Sequence, residues 1–383
     1  MAKDSVDALA ALEQTTSRPF DKAMSMPPEV YTSEAFLALE LEHVFRADWF
    51  CVGRASALAN PGDYTTLDLA GQPIIVLRDR EGGLRAMPNV CLHRMSTLLQ
   101  GRGNTRSIVC PYHAWTYNLD GSLRGAPEMA RNSEFCKGDY KLEEIRCEEW
   151  LGWVYVTLNP DVAPVSQQLA PLEKMIAPYG MEHYVETFFE EHVWDTNWKV
   201  LAENYMESYH LPVCHNGTVG PFTDLARVDC PEGHPHFNIH WFTKEAELAI
   251  GNAHPDNTTL QGAQRQTSAL MSIYPSHMVT LTPGYFWYLC LQPEGPGRVR
   301  MLFGGGFDPH FASDPGIHEY DSALRTLLDE VNLEDRGCTE KVYRGLSSGL
   351  ARPGHLSHLE RPIYDFAQYI HAKVSSGYAA AAQ

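Results

Sequence analysis

Apolar positions recur along this chain with a spacing that changes near residue 48 and again near residue 160. Between Ser33 and Phe45, apolar residues follow a serine at helical spacing, which predicts a capped helix closing an N-terminal arm. From about 48 to 158 the pattern shortens to strand-length runs broken by turn signals. Ile74-Ile75-Val76-Leu77 after Pro73, the hairpin dipeptide Asp120-Gly121, and Trp153 to Leu158 are examples. A small all-β domain is expected there. Beyond Asn159-Pro160, helical segments alternate with strands. Strands are predicted from Phe188 to Trp198 and from Tyr285 to Leu291, and a long helix from about Ile317 to Val331. The whole reads as α+β, with helices segregated against an antiparallel sheet.

The β-rich stretch carries the first candidate chemistry. Cys91-Leu92-His93 and Cys110-Pro111-Tyr112-His113 are separated by sixteen residues. Two thiolates and two imidazoles on adjacent turns suit a [2Fe–2S] cluster of Rieske type, with Cys91 and Cys110 on one iron and His93 and His113 on the other. Gly101, Gly103 and Pro111 suit loops that approach sulfur closely. A zinc site is the alternative, but it usually pairs Cys-x-x-Cys with a separate His pair.

Composition narrows the rest. At 383 residues with 44% hydrophobic and 11% aromatic content, the chain can fill one large or two smaller cores. A net charge of −18 argues against nucleic-acid binding. No apolar run is long enough to span a membrane and no h-region opens the sequence, so a soluble cytoplasmic protein is expected. Seven further cysteines (Cys51, Cys136, Cys147, Cys214, Cys230, Cys290 and Cys338) form no paired framework and read as free, buried thiols.

A second constellation lies in Glu203 to His215. If helical, the segment places Glu207 and His210 on one face, and Pro212 should end the helix so that His215 folds back. Two histidines with a distant carboxylate form the facial triad of non-haem iron(II) sites, which leaves positions open for O2. Glu334, Asp335 and Glu340 are the carboxylates on offer; alternatively Asn332 caps a helix, with Glu334 and Asp335 in its first turn.

Cys91 to Arg94, Cys110 to Tyr117, and Asn197-Trp198-Lys199 followed by Glu203 to His215 resemble the α subunit of Rieske non-haem iron oxygenases. The resemblance covers about 45 to 350. It implies a helix-grip-like catalytic domain and the division 1–45 arm packed on the catalytic domain, 46–160 cluster domain, 161–383 mononuclear iron domain. It implies His210, His215 and Asp335 as iron ligands. It also implies Glu207 as a bridge from His113 of a neighbouring subunit to His210, hence a homotrimer. Glutamate at 207 is similar to the branch acting on choline, glycine betaine, carnitine and proline betaine, although that branch usually has Cys where Ser208 stands and only His371 echoes its C-terminal histidines. N-demethylation or C–H hydroxylation beside a quaternary nitrogen is therefore expected; aromatic-ring oxygenation or O-demethylation, and a bare Rieske electron carrier, are the alternatives.

Gly304-Gly305-Gly306 lacks dinucleotide-loop spacing, so a separate NAD(P)H-dependent reductase is expected to supply electrons. Tyr205, Phe222, Trp241, Tyr285, Phe286 and Trp287 are candidate aromatic faces for a cation.

Overall fold

The structure, a computed structural model, describes residues 3–245 and 251–381. It separates into two compact units, Phe45–Gln167 and the remainder, in which residues up to Val44 join those from Gln168 onward.

The first unit is built from short antiparallel strands. β1 (Phe50–Arg54), β10 (Trp153–Thr157) and β9 (Arg146–Trp150) form one sheet. β4 (Leu84–Pro88), β3 (Gln72–Arg78), β2 (Asp63–Leu69) and β5 (Arg102–Asn104) form a second, and β6 (Ile108–Val109), β7 (Thr116–Tyr117) and β8 (Leu123–Gly125) a third. The run Ile74–Leu77 is wholly buried in β3. Asp120-Gly121 turns β7 into β8, with Gly121 at φ +83°, a left-handed conformation that glycine adopts without strain. Ile108, Trp115, Tyr117, Leu123 and Leu142 pack into one core around Cys91 and Cys110.

In the second unit the arm helices α1 (Lys3–Thr16) and α2 (Glu34–Glu40) precede a seven-stranded antiparallel sheet. The sheet holds β11 (Val185–Trp194), β12 (Val228–Asp229), β13 (Phe237–Thr243), β14 (Thr267–Ile273), β15 (His277–Leu281), β16 (Tyr285–Gly295) and β17 (Arg298–Phe307), with β11 on the edge beside β17. Ser33 Oγ accepts from the Phe36 N–H at 3.2 Å, the expected cap of α2. The predicted 188–198 strand begins earlier and stops at Trp194. Asn197 Oδ1 accepts from the Lys199 N–H at 2.9 Å and so starts helix α3 (Trp198–Tyr205), which takes Trp198 out of the sheet. The three glycines of β17 have a packing role: a Cβ on Gly304 would lie 2.5 Å from the Tyr288 ring.

After α3 comes a single helical turn, α4 (Leu211–Cys214), then the remaining six strands of the sheet, the long helix α5 (Ile317–Leu346) and the terminal helix α6 (Arg361–Ala381). The expectation that α5 ends near Val331 is corrected. Asn332 and Asp335 lie inside it, so neither belongs to a new helix start. No proline interrupts residues 317–346, and a Cβ at Gly337 would meet nothing within 4 Å. Among the described residues, no helix is long and apolar enough to cross a membrane.

Helix α3 is tied to the arm by buried charge. Lys199 Nζ lies 2.7 and 2.9 Å from the two Glu40 oxygens, with both side chains fully buried, and Trp198 Nε1 donates to Glu40 at 3.1 Å. One turn on, Tyr31 donates to Glu203 at 2.8 Å. Burial raises the Glu203 carboxyl to about 7, against the Tyr31 hydrogen bond and the Lys199 charge. A carboxyl raised on folding holds its proton more tightly in the folded state. Its contribution is complete below the unfolded value and is lost as pH climbs towards 7. Glu203→Gln is therefore expected to flatten the decline in stability between about pH 5 and pH 8, by at most about 3 kcal/mol. Denaturant melts of both proteins at the two pH values measure the difference.

Candidate metal centres and the cavity between sheet and helix

Two conformationally matched turns carry the cysteine–histidine pairs. The Cys91 N–H donates to the Ser96 carbonyl and the Met95 N–H to Cys91; the Cys110 N–H donates to Trp115 and the Ala114 N–H to Cys110. Met95 (φ +53°) and Ala114 (φ +55°) close the two turns in the left-handed region, each four residues after its cysteine. This differs from the expectation for Gly101 and Gly103, which lie at the β5 end of the connector, where Gly103 faces the Tyr64 ring.

Cys91 and Cys110 are buried. The His93 ring stacks on Trp115 at 4.8 Å and meets His113 edge-on at 4.8 Å. His93 Nδ1 and His113 Nδ1 are buried without a hydrogen-bond partner, a costly state unless the nitrogens bind something else. Burial pushes the Cys110 thiol up, but the backbone N–H groups of Tyr112 and His113 outweigh it and favour the thiolate. Tyr117 Oη lies 3.3 Å from Cys91 Sγ and accepts from the Leu92 N–H at 2.9 Å. Two orphaned nitrogens and two buried sulfurs are the donor set of a Rieske cluster.

The second centre joins α4 to α5. His210 caps the start of α4 and His215 its end, so one helical turn carries both rings. Pro212 does not end a helix, as the sequence suggested. The preceding helix stops at Tyr205, and Pro212 sits in the first turn of α4, where its missing N–H costs nothing. His210 Nε2 and His215 Nε2 are 3.2 Å apart. Asp335 Oδ1 lies 3.1 Å from the latter and 3.5 Å from the former. The three ligand atoms converge within 4.8 Å. Glu340 points elsewhere, to Arg336 at 2.8 Å.

Carboxylates hold the outer face of each ring. Glu207 Oε1 is 2.6 Å from His210 Nδ1, and Glu207 Oε2 accepts from the His210 N–H at 3.0 Å. Glu334 Oε2 is 2.8 Å from His215 Nδ1 and also accepts from Thr218 Oγ1. A carboxylate on Nδ1 keeps the proton there and presents the Nε2 lone pair inward. Burial pulls His210 down, but hydrogen bonds with Asp335 and Glu207 prevail and raise it to about 10. Burial pushes Asp335 up, yet its two histidine partners hold it at about 2. This anionic nest with inward imidazole nitrogens fits a divalent iron.

Residues 48–146 match the Rieske [2Fe-2S] domain and residues 180–376 match the ring hydroxylating alpha subunit (catalytic domain). The chain belongs to the Rieske ring-hydroxylating oxygenase α-subunit family. It is 29% identical over 336 residues to the carnitine monooxygenase oxygenase subunit of Escherichia coli (strain K12), covering 85% of each chain. It is 32% identical over 376 residues to the glycine betaine monooxygenase oxygenase subunit of Pseudomonas aeruginosa, covering 89% of this chain and 86% of that one. The crystal structure of the quaternary ammonium Rieske monooxygenase CntA with L-carnitine superposes with a TM-score of 0.80 at 25% identity, over 95% of this chain and 98% of that one. Naphthalene 1,2-dioxygenase from Rhodococcus shares the fold, with a TM-score of 0.79 at 18% identity and coverage of 96% and 98%. The oxygenase thus uses a [2Fe–2S] cluster and a mononuclear non-haem iron, and the α+β architecture expected from the sequence is the one observed.

A cavity of about 420 Å³ opens over His210, His215 and Asp335. Sheet residues Phe242, Thr280 and Trp287 line one side of it, and α5 residues Leu327, Val331 and Asn332 the other. Of the six aromatic residues singled out in the sequence, Tyr205, Phe222, Tyr285 and Trp287 line it. Trp241 and Phe286 do not. Strand parity puts Phe242 in the place expected for Trp241 and turns Phe286 towards Tyr184, 5.8 Å away. Sequence reasoning also missed Asn204, whose Nδ2 donates to Asp335 Oδ1 at 2.8 Å, and cast Glu334 as a possible ligand or a first-turn helix carboxylate rather than as the partner of His215. Among the described cysteines none is in a disulfide, but only Cys51 and Cys290 of the seven outside the cluster turns are buried. Cys214 at the end of α4 and Cys338 on α5 bring their sulfurs to 2.6 Å.

Asp335→Ala is expected to reduce iron content to that of the cluster alone, leaving the cluster's visible absorption intact. Glu334→Gln is expected to keep the site but weaken iron binding by about 10- to 100-fold. Metal analysis after dialysis against graded chelator separates the two outcomes.

Proposed function

We propose that this oxygenase oxidises the carbon beside the nitrogen of a small quaternary ammonium compound, with electrons from a separate reductase. One observation carries the substrate class: Tyr205 and Trp287 meet edge-to-face at 5.4 Å in the wall of the cavity over the three inward ligand atoms. A quaternary nitrogen has no N–H to donate, so aromatic faces are what can recognise it. The carnitine, choline and glycine betaine monooxygenases among the relatives support the same class.

In this reading Cys91, Cys110, His93 and His113 hold the cluster, and His210, His215 and Asp335 hold the iron. When bound, the cluster supplies single electrons and the iron activates O2. The chain's own residues do the rest. Tyr205 Oη is bonded to Thr280 Oγ1 at 3.0 Å, which fixes the ring that faces the cation. Glu207 holds the proton on His210 Nδ1 and has its own place in electron transfer, as the link between His113 of a neighbouring subunit and His210. Exposed apolar side chains frame both ends of that link: Leu92, Met95 and Tyr112 at the cluster turns, Tyr209 and Val213 at the iron turn. A homotrimer covers both rims. Hydroxylation beside the nitrogen yields a carbinolamine that collapses to an aldehyde and a less substituted amine.

The test is turnover with a surrogate reductase and NADH on carnitine, γ-butyrobetaine, choline, glycine betaine and methoxy- or N-methyl-aromatics, following formaldehyde and trimethylamine. Release from a quaternary ammonium compound is expected, with a loss of at least about 100-fold in Glu207→Ala and the iron retained. Turnover of an aromatic alone would replace this reading with ring oxygenation or O-demethylation.

A further inference from the structure

We propose that Cys214 and Cys338 form a peroxide-responsive dithiol, which closes into a disulfide that ties the His215 turn to the Asp335 helix and slows loss of the iron. The sulfur chemistry stands by itself. The effect on iron rests on the reading above of His210, His215 and Asp335 as its ligands.

Cys214 is the last residue of α4, directly before His215, and its N–H donates to the His210 carbonyl at 2.9 Å. Cys338 lies on α5, one turn beyond Asp335. The two sulfurs are 2.6 Å apart although the residues stand 124 positions apart in sequence. A disulfide bond is about 2.05 Å long, so closing the pair moves the sulfurs by about half an ångström. Both residues are half-buried, within reach of a small oxidant.

Two other uses of a cysteine pair do not fit. A closed zinc site takes four ligands, and among the described residues no third His, Cys, Asp or Glu ligand atom gathers with these sulfurs. Thiols used only for packing sit in the core, as Cys51 and Cys290 do. Polar contacts join the same two segments. Glu334 Oε2 reaches His215 Nδ1 at 2.8 Å and Thr218 Oγ1 at 2.7 Å, and Asp335 Oδ1 reaches the two inward imidazole nitrogens. Contacts of this kind open transiently, and a chelator takes the ion when they do. A covalent bond beside His215 and three residues from Asp335 keeps the ligands assembled through such openings.

The oxidant is hydrogen peroxide, the form in which O2 leaves after two-electron reduction without substrate. One sulfur attacks a peroxide oxygen, the O–O bond breaks, and a sulfenic acid and water result. The second sulfur then displaces the sulfenic hydroxyl as water and the S–S bond forms. Two thiols and one peroxide thus give one disulfide and two waters, the thiol hydrogens ending in water and two electrons passing from sulfur to oxygen. A thiol reductant reverses the closure.

The experiment treats the iron-loaded holoenzyme with a small excess of hydrogen peroxide, alkylates the free thiols and maps the digested peptides. A peptide joining Cys214 to Cys338, released by dithiothreitol, is expected in the wild type and absent in Cys338→Ser. Loss of the iron beyond the cluster's to a chelator should be slower in the oxidised wild type than in the reduced by at least about threefold. Neither Cys338→Ser nor Cys214→Ser should show that difference. The cluster's visible absorption, followed in parallel, confirms that the cluster survives the treatment. Alkylation of both Cys214 and Cys338 after peroxide, or their oxidation to sulfinic acids, would overturn the pair. A disulfide that left the rate of iron loss unchanged would overturn the lock. Iron retained in Asp335→Ala would overturn the ligand reading instead, with the mapped disulfide unaffected.

Discussion

Two imidazoles and three carboxylates share one half-buried space in the catalytic unit, and much of the structure answers to that concentration of charge. Without a cation, Asp335 and Glu207 draw protons onto His210, holding it near 10 while Asp335 stays near 2. A divalent ion satisfies the same field with the rings neutral. The carboxylates on the outer nitrogens, Glu207 and Glu334, hold the Nδ1 protons in place, so it is the inward Nε2 proton that a metal ion would displace. His215 comes from a single helical turn and Asp335 from a helix more than a hundred residues later. The site therefore exists only when α4 and α5 are held together.

That placement depends on the support behind α3. A buried lysine–carboxylate pair gains little net stability over an apolar substitute, but breaking it on one side costs about 3–5 kcal/mol because a charge is left stranded. Lys199 and Glu40 thus act chiefly as a register device. They fix where the arm meets α3, and α3 leads directly into the Glu207–His215 turn. Tyr31 on Glu203 and the Asn197 side chain on the Tyr31 carbonyl repeat the linkage one turn apart.

The cavity shows how a shared scaffold acquires specificity. Naphthalene dioxygenase has the same fold, so fold alone does not choose between an aromatic ring and a cation. The choice lies in side chains on the strands and helices that line the cavity, and on the strands parity decides which aromatic residues face inward. A one-residue difference in reading β13 exchanges Trp241 for Phe242, and with it the wall of the site.

The two cysteine–histidine turns were legible because they are local: a Cys-x-His and a Cys-x-x-His pair specify two turns whatever surrounds them. Strand-length runs such as Ile74–Leu77 and the turn at Asp120-Gly121 were legible for the same reason, since burial of a short apolar run and a left-handed glycine are local demands. The charge, the absence of a dinucleotide loop and the Glu207-x-x-His210 spacing also came from the chain alone. The tertiary structure decided what depends on distant partners. Asn332 could have been a cap until α5 was seen to run through it, because nothing in the local sequence stops that helix. Asp335, Glu334 and Glu340 were chemically equivalent until helix rotation sent one to the two inward histidine nitrogens, one to the outer nitrogen of His215 and one to Arg336. Which aromatic rings face the cavity was settled by strand parity and packing. Spacing along a chain sets local geometry, but convergence across more than a hundred residues is set by burial and by the charges that burial forces into pairs.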